Sequence, residues 1–168
     1  MFNTRTFFGT DGILTVANAE SAMPADALTS YLGEGNVVGR VTNVSVSVAT
    51  SVHAFHEMGF RLPRELRAGR ISIDGSVERA YVNGALLRLM LGQYATTEEA
   101  LGFAIPHFDM VLGLDNQSPP GEPGNSVITI YGVMFDRWRL ELPAEQFTIE
   151  NTHFQAQRIG VADTEVPS

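Results

Sequence analysis

Regular alternation of apolar and polar residues predicts two long β-strands. In the run 36–50, "NVVGRVTNVSVSVAT", valines at every second position alternate with the small polar residues Asn43, Ser45 and Ser47. Side chains of a strand alternate between its two faces, so this run predicts a half-buried strand with one wet, polar face. A second alternating run, "RISIDGSVERAYVNG" at 70–84, predicts a second strand, with Gly75 as a bulge or a point of close packing.

One segment has a clear helical pattern. The run 83–92, "NGALLRLMLG", begins at Asn83, a favourable N-cap, and ends at Gly92, a favourable C-terminal stop. Its leucines and methionine form a wide apolar face that we expect to pack against a sheet. Shorter helical signals occur in "MPADALTSYLGEG" at 23–35 and in "TTEEALG" at 96–102.

The remaining segments are rich in β-forming residues. Strands are predicted after a turn at 9–12 and in three further runs, 107–116, 126–142 and 145–161, with a Pro- and Gly-rich loop at 116–125 and a frayed tail at 162–168. The sum is five to seven strands, mostly antiparallel, and one dominant helix. Such a set predicts a single domain over 1–168, a β-sandwich or β-barrel with the helix packed on one side.

Composition and charge narrow the function classes. The chain of 168 residues has 11 basic residues, all arginine, against 19 acidic ones, a net charge of −8. An acidic chain has no electrostatic reason to grip nucleic acid. The absence of cysteine excludes disulfides and thiolate metal sites. With neither a signal peptide nor a long apolar span, the sequence predicts a soluble protein made in a cytoplasm without membrane contact.

The segment 51–70, "SVHAFHEMGFRLPRELRAGR", joins the two long strands and is predicted to be a long functional loop. Its four arginines and two glutamates give a local charge of +2, so the rest of the chain carries −10. A basic loop on an acidic body favours docking of one copy on another. The alternative is that the arginines only keep a long loop solvated.

A metal site is the main chemical alternative for this segment. On a helical turn, His53 and His56 would face the same way, with Glu57, His107 or His153 as a third ligand. The order H-x-x-H-E matches no helical zinc-protease pattern. The sequence also lacks G-x-S-x-G and phosphate-binding glycine motifs, and a lone Trp138 is more typical of packing than of base stacking. We therefore predict no catalysis, cofactor or metal, with a metal-dependent β-barrel enzyme as the weaker alternative.

The run 52–92 resembles bacteriophage tail tube proteins. In that family an "E-x-G-x-R-x-P"-like loop precedes a strand bearing G-[ST]-[VI]-E-[RK]-A-Y-[VI]-N-G and a helix. The loop pattern falls here on Glu57, Gly59, Arg61 and Pro63, and the strand pattern falls on "GSVERAYVNG" at 75–84. The resemblance covers about a quarter of the chain.

The resemblance implies a structural subunit that forms hexameric rings, stacked into a hollow tube through which the genome leaves the capsid. Sheath, baseplate and tail terminator proteins would be its partners, the virion tail its location, and DNA would pass without specific binding. A phage-derived bacteriocin or a secretion system with the same fold remains an alternative owner.

The resemblance also assigns residues to three regions. The segment 51–70 becomes an inter-subunit docking arm, with a junction between strand and helix beyond it and a lumen-facing strand before it. The docking residues are His53, His56, Glu57, Arg61, Pro63, Arg64, Arg67 and Arg70; the junction residues are Gly75, Glu78, Arg79, Tyr81 and Asn83; the lumen-facing residues are Asn43, Ser45 and Ser47.

Overall fold

The computed structural model describes residues 6–18, 32, 37–91, 106–115 and 125–163. These residues form a 3₁₀ turn at Gly9–Asp11, seven strands and one helix. The strands are β1 (Gly12–Asn18), β2 (Val41–Phe55), β3 (Glu65–Ala80), β4 (Phe108–Asp115), β5 (Asn125–Glu141), β6 (Ile149–Ala156) and β7 (Arg158–Asp163), and the helix is α1 (Ala85–Leu91). The helical signals at 23–35 (except Leu32) and 96–102, Gly92, most of the loop at 116–125 and the tail beyond residue 163 lie outside the described residues.

All strand pairs are antiparallel, in the order β1–β4–β5–β6–β3–β2, with β7 beside the first half of β5. β5 is long enough to belong to two layers. Its first half pairs with β4 and β7, and its second half pairs with β6. Between the halves, Gly132 has a φ of 61°, a left-handed conformation that other residues avoid. The predicted mainly β, antiparallel architecture is confirmed, and the last predicted strand is two strands, β6 and β7, separated by Gln157.

The core lies between the two layers and beneath α1. Its fully buried residues come from five strands and the helix: Val16, Val77, Leu86, Leu89, Phe108, Met110, Ile130, Val133 and Phe154. The predicted N-cap of the helix is confirmed, because Asn83 Oδ1 accepts a hydrogen bond from the amide of Ala85 at 3.1 Å. In the part of the chain that is described, no helix is long and apolar enough to cross a membrane.

The prediction of a twenty-residue loop at 51–70 was wrong. β2 continues to Phe55 and β3 starts at Glu65, and these two residues are register partners. The connecting loop is therefore residues 56–64. The alternation that would have revealed the strands is broken by a register shift beyond Thr50, where β3 contains an extra residue relative to β2. Gly69 lies at this irregularity, and a Cβ there would approach Ser51 Oγ to 2.2 Å.

Candidate assembly surfaces

The hairpin of β2 and β3 extends beyond the rest of the sheet. We call residues 48–72 the arm. The pairing of β3 with β6 begins at Ile73, opposite Ala156, so the part of β3 that precedes Ile73 pairs only with β2. Every residue of the arm is exposed. Large apolar side chains on the arm are exposed as well, including Val52, Leu66 and Ile71. A monomeric domain rarely carries such a surface without a partner, so the arm has the character of a contact surface.

Charge on the arm is partly neutralised within the arm. Arg64 Nε lies 3.2 Å from Glu57 Oε2, and Arg67 Nε lies 2.7 Å from Glu65 Oε1. The guanidinium of Arg64 also stacks over the Phe60 ring, 4.1 Å from its centroid. Among the described residues, neither Arg61 nor the side chain of Arg70 forms an ion pair. These two arginines supply the excess positive charge of the arm.

The arrangement required by the metal alternative is not present. His53 lies on β2 opposite Arg67, and His56 follows the end of that strand, so the two do not share a helical turn. Glu57 is engaged by Arg64. Within the described ranges, no three His, Asp or Glu side chains converge as a metal site would require. His107 precedes β4, and His153 lies in β6 with a carboxylate partner of its own.

A continuous polar surface covers one side of four strands. Asn43, Ser45 and Ser47 on β2 lie opposite Glu78, Ser76 and Asp74 on β3, and the hydroxyls of Ser45 and Ser76 are 2.9 Å apart. β6 and the second half of β5 extend this surface. We call it the polar face; beyond β2 its residues are Asp74, Ser76, Glu78, Asp136, Arg137, Arg139, Glu141, Asn151, His153 and Gln155. The sequence identified only the β2 part, because the alternation in β5 is interrupted by a register shift between Phe135 and Arg137.

A hydrogen-bonded cluster lies at the middle of the polar face. His153 Nδ1 donates to Asp136 Oδ1 at 2.6 Å, and Gln155 Nε2 donates to Asp136 Oδ2 at 2.8 Å. Partial burial raises the pKa of Asp136, but the hydrogen bonds from His153 and Gln155 and the charges of His153 and Arg137 outweigh it. The pKa of Asp136 is therefore held below its ordinary value.

Acidic side chains outnumber arginines on the polar face. Four carboxylates (Asp74, Glu78, Asp136 and Glu141) stand beside two guanidinium groups (Arg137 and Arg139). Arg139 Nε lies 3.2 Å from Glu141 Oε1. The four carboxylates exceed the two guanidinium groups even when the charge of His153 is added, so the face has an excess of negative charge, which disfavours adhesion of a polyanion.

The junction of β3 and α1 is organised around a buried ion pair. Arg79 Nε binds Glu150 Oε1, and the same guanidinium donates to the backbone oxygen of Asn83 at 3.0 Å. Trp138 Nε1 donates to the second oxygen of Glu150 at 2.8 Å. Glu150 was not among the residues predicted from the sequence, although the alternation of "IENTHF" places it on the same side as Phe154, the buried side.

The other predicted junction residues have different surroundings. Glu78 lies on the polar face and accepts a hydrogen bond from Thr42 at 3.0 Å. Gly75 is a close-packing point, since a Cβ there would lie 2.1 Å from the backbone oxygen of Ser45 and 2.6 Å from the Phe154 ring. Tyr81 is exposed, and its amide donates to the backbone oxygen of Thr148 at 2.9 Å.

Two long strand edges lack a partner strand within the described residues. β2 pairs on one side only, with β3. The second half of β5, from Met134 to Glu141, pairs with β6, while β4 leaves the other side of β5 at Val133. Among the strands that the structure describes, the layer β2–β3–β6–β5 that carries the polar face therefore ends in an open edge on both sides. Such edges are available for pairing with another chain.

Comparison with known proteins identifies the fold. No protein-family model matches the sequence, and no curated protein matches it. A chain from the sheath–tube complex of an extracellular contractile injection system, PVC, in the extended state is 9% identical with a TM-score of 0.65, covering 96% of this chain and 94% of that one. The tube-terminating cap of the anti-feeding prophage is 8% identical with a TM-score of 0.65, covering 98% and 95%. The SPP1 tail tube protein is 7% identical with a TM-score of 0.61, covering 96% and 81%. The chain therefore has the fold of phage tail tube proteins and their injection-system counterparts.

Proposed function

We propose that this chain is the structural subunit of a phage-type tail tube, in which copies form six-membered rings and the rings stack into a hollow tube that conducts the genome. One observation carries the proposal. A four-stranded layer has a wet polar face on one side, the core on the other, and an open edge at β2 and at β5. Such a layer is suited to become one segment of a larger closed barrel.

Strand directions support closure by repetition. Within the layer β2–β3–β6–β5 each strand is antiparallel to its neighbour, so β2 and β5 run in opposite directions. The β2 edge of one copy can thus meet the β5 edge of the next copy and continue the antiparallel alternation. A contact between two different surfaces generates a ring when its rotation closes, and ring closure leaves no exposed edge.

The polar face supports a role as the wall of a channel. Its small and charged residues keep it hydrated, and its excess of carboxylates repels phosphate. A wall of this charge favours passage of a polyanion over binding of the polyanion. We therefore favour a tube that conducts a genome over the tube of a bacteriocin or a secretion system. Sheath, terminator and baseplate proteins are the expected partners, and the virion tail the expected location, because chains of the same fold come from a sheath–tube complex, a sheath/tube terminator, a baseplate and a tail tube.

The arm supplies the second contact that a tube needs. In a stack of rings, a hairpin that extends past the body of its own subunit reaches a neighbour. The eight arm residues of β3 before Ile73 span about 27 Å at about 3.4 Å per residue. The exposed apolar side chains of the arm would be covered there, together with Arg61 and Arg70, which form no ion pair with any residue that the structure describes.

Removal of the apolar side chains at the arm tip tests the proposal. The variant Met58→Ser, Phe60→Ser and Leu62→Ser changes only exposed residues, so its circular dichroism and melting temperature should match those of the wild type. Sedimentation velocity should find stacked assemblies of more than six chains for the wild type and nothing larger than a six-membered ring for the variant, because the ring contacts at β2 and β5 are unchanged. A wild type that remains a single chain at all concentrations would overturn the tube proposal, and a variant that stacks as well as the wild type would overturn the role of the arm as the contact between rings.

A further inference from the structure

A cluster of exposed apolar side chains lies at the end of the sheet opposite to the arm. Tyr81 and Val82 follow β3, and Leu142 and Phe147 lie in the loop between β5 and β6. Their exposed fractions run from 41% to 85%. We call these four residues the end patch. The hydrogen bond from the Tyr81 amide to the Thr148 oxygen links the two loops that carry them.

The arm tip lies at the far end of the same strand. β3 starts beside the tip at Glu65 and finishes beside the end patch at Ala80. At about 3.4 Å per residue, the two surfaces are separated by about 50 Å. The tip carries Met58, Phe60 and Leu62, each more than half exposed. Each subunit therefore has an apolar surface at either end of one strand.

The charges at the two ends are opposite. At the tip, Arg61 forms no ion pair among the described residues. In the end patch, the exposed Glu145 lies between Leu142 and Phe147 in the sequence, and no described residue forms an ion pair with it. An apolar centre with opposite charges at its rim is the usual composition of a specific protein interface.

We propose that the arm tip of one copy docks on the end patch of a copy in the next ring, with Arg61 facing Glu145. This inference rests on the proposed function, because it names the surface that receives the arm in the tube. Two complementary surfaces at opposite ends of a subunit repeat along one axis and produce a stack without a fixed length. Docking within a ring would instead require the two surfaces to lie at similar heights.

Disulfide trapping tests the docking directly, because the native chain has no cysteine. The variant Leu62→Cys and Phe147→Cys carries one thiol at each proposed surface. These residues are too far apart within one chain to form a disulfide, which requires Cα atoms within about 7 Å. Oxidation during assembly should give a ladder of linked chains on a non-reducing gel. The matched control, Leu62→Cys and Val161→Cys, places the second thiol on exposed β7 and should give no ladder.

Electron microscopy of the same samples separates the two proposals. Tubes without a ladder, or equal ladders in both variants, would overturn the docking proposal and leave the tube subunit in place. Absence of rings and tubes in the wild type would overturn the proposed function itself.

Charge exchange gives a second test that does not depend on oxidation. Arg61→Glu and Glu145→Arg should each raise the concentration needed for assembly about tenfold, the effect expected for loss of a close charge pair across an interface. The double variant should return this concentration to near the wild-type value. A double variant that assembles no better than the single variants would contradict the docking.

Discussion

The ion pair between Arg79 and Glu150 is closed off from water, with side-chain exposed fractions of 4% and 0%. It links neighbouring strands of the layer that carries the polar face, since these residues are register partners on β3 and β6. Arg79 also binds the backbone oxygen of Asn83, whose side chain caps α1. The pair thus joins the strands carrying the polar face to the helix that covers the core.

Removal of one member of this pair should strongly destabilise the subunit. Glu150→Ala leaves the Arg79 guanidinium and the Trp138 indole N–H without their acceptors in a buried site. A broken buried pair costs about 3–5 kcal/mol of unfolding free energy, and an exposed pair about 1 kcal/mol or less. Urea unfolding of the dilute subunit should therefore separate Glu150→Ala from the control Glu141→Ala, which breaks the exposed Arg139 pair. Equal losses in the two variants would contradict the structural role of the buried pair.

Gly75 should tolerate no side chain. In Gly75→Ala the new Cβ would lie 2.1 Å from the Ser45 backbone oxygen and 2.6 Å from the Phe154 ring, so both β2 and the ring must move. Overpacking of this kind costs about 1–3 kcal/mol. Gly84→Ala is the matched control, since a Cβ there meets nothing within 4 Å. Thermal unfolding should place Gly75→Ala well below the wild type and Gly84→Ala at or near it. Equal melting temperatures for both variants would contradict the close approach.

Acid should destabilise the subunit in part through Asp136. Its pKa in the folded chain is lowered from 3.8, so its contribution to stability is present above that value and is lost as pH falls through the folded pKa. The melting temperature of Asp136→Asn should consequently fall less between pH 5 and pH 3 than that of the wild type. Asp163→Asn, which changes an exposed carboxylate in β7, serves as the control. A pH dependence in Asp136→Asn as steep as that of the wild type would exclude this contribution.

Reversal of charge on the polar face should create DNA binding. In Glu78→Arg and Glu141→Arg the four carboxylates and two arginines of the face become two carboxylates and four arginines. Arginines that contact phosphates give affinity that falls steeply with salt. Electrophoretic mobility shifts should find salt-sensitive binding in this variant and none in the wild type. The same reversals at Asp115 and Asp163, outside the face, should have a much smaller effect. Equal binding by both double variants would contradict a channel role for the polar face.

Alternation of side chains made much of the fold predictable. The alternating valines of β2 and the alternation around Ile73 predicted strands with one buried side, and Asn83 predicted the start of α1. These signals were readable because burial and capping act over a few residues. The division of the last segment into β6 and β7 was not readable, because a single residue, Gln157, separates two strands of one continuous ribbon.

The arm was misread because its strands have no buried face. Residues 48–72 pair only within the hairpin of β2 and β3 and are all exposed, so no core required apolar residues at every second position. The register shift near Gly69 removed the remaining alternation. The sequence could not predict which residues of β3, β5 and β6 lie together on the polar face, because this depends on the register between strands that are distant in sequence. Which residue faces His153 is decided by pairing with β5 and not by the sequence around it.

Negative-stain electron microscopy of the purified protein across a concentration series tests the tube proposal most directly. We expect rings at low concentration and hollow tubes of uniform width at higher concentration, with six-fold symmetry in end views. Particles of single-chain size at every concentration, with no rings and no tubes, would contradict it.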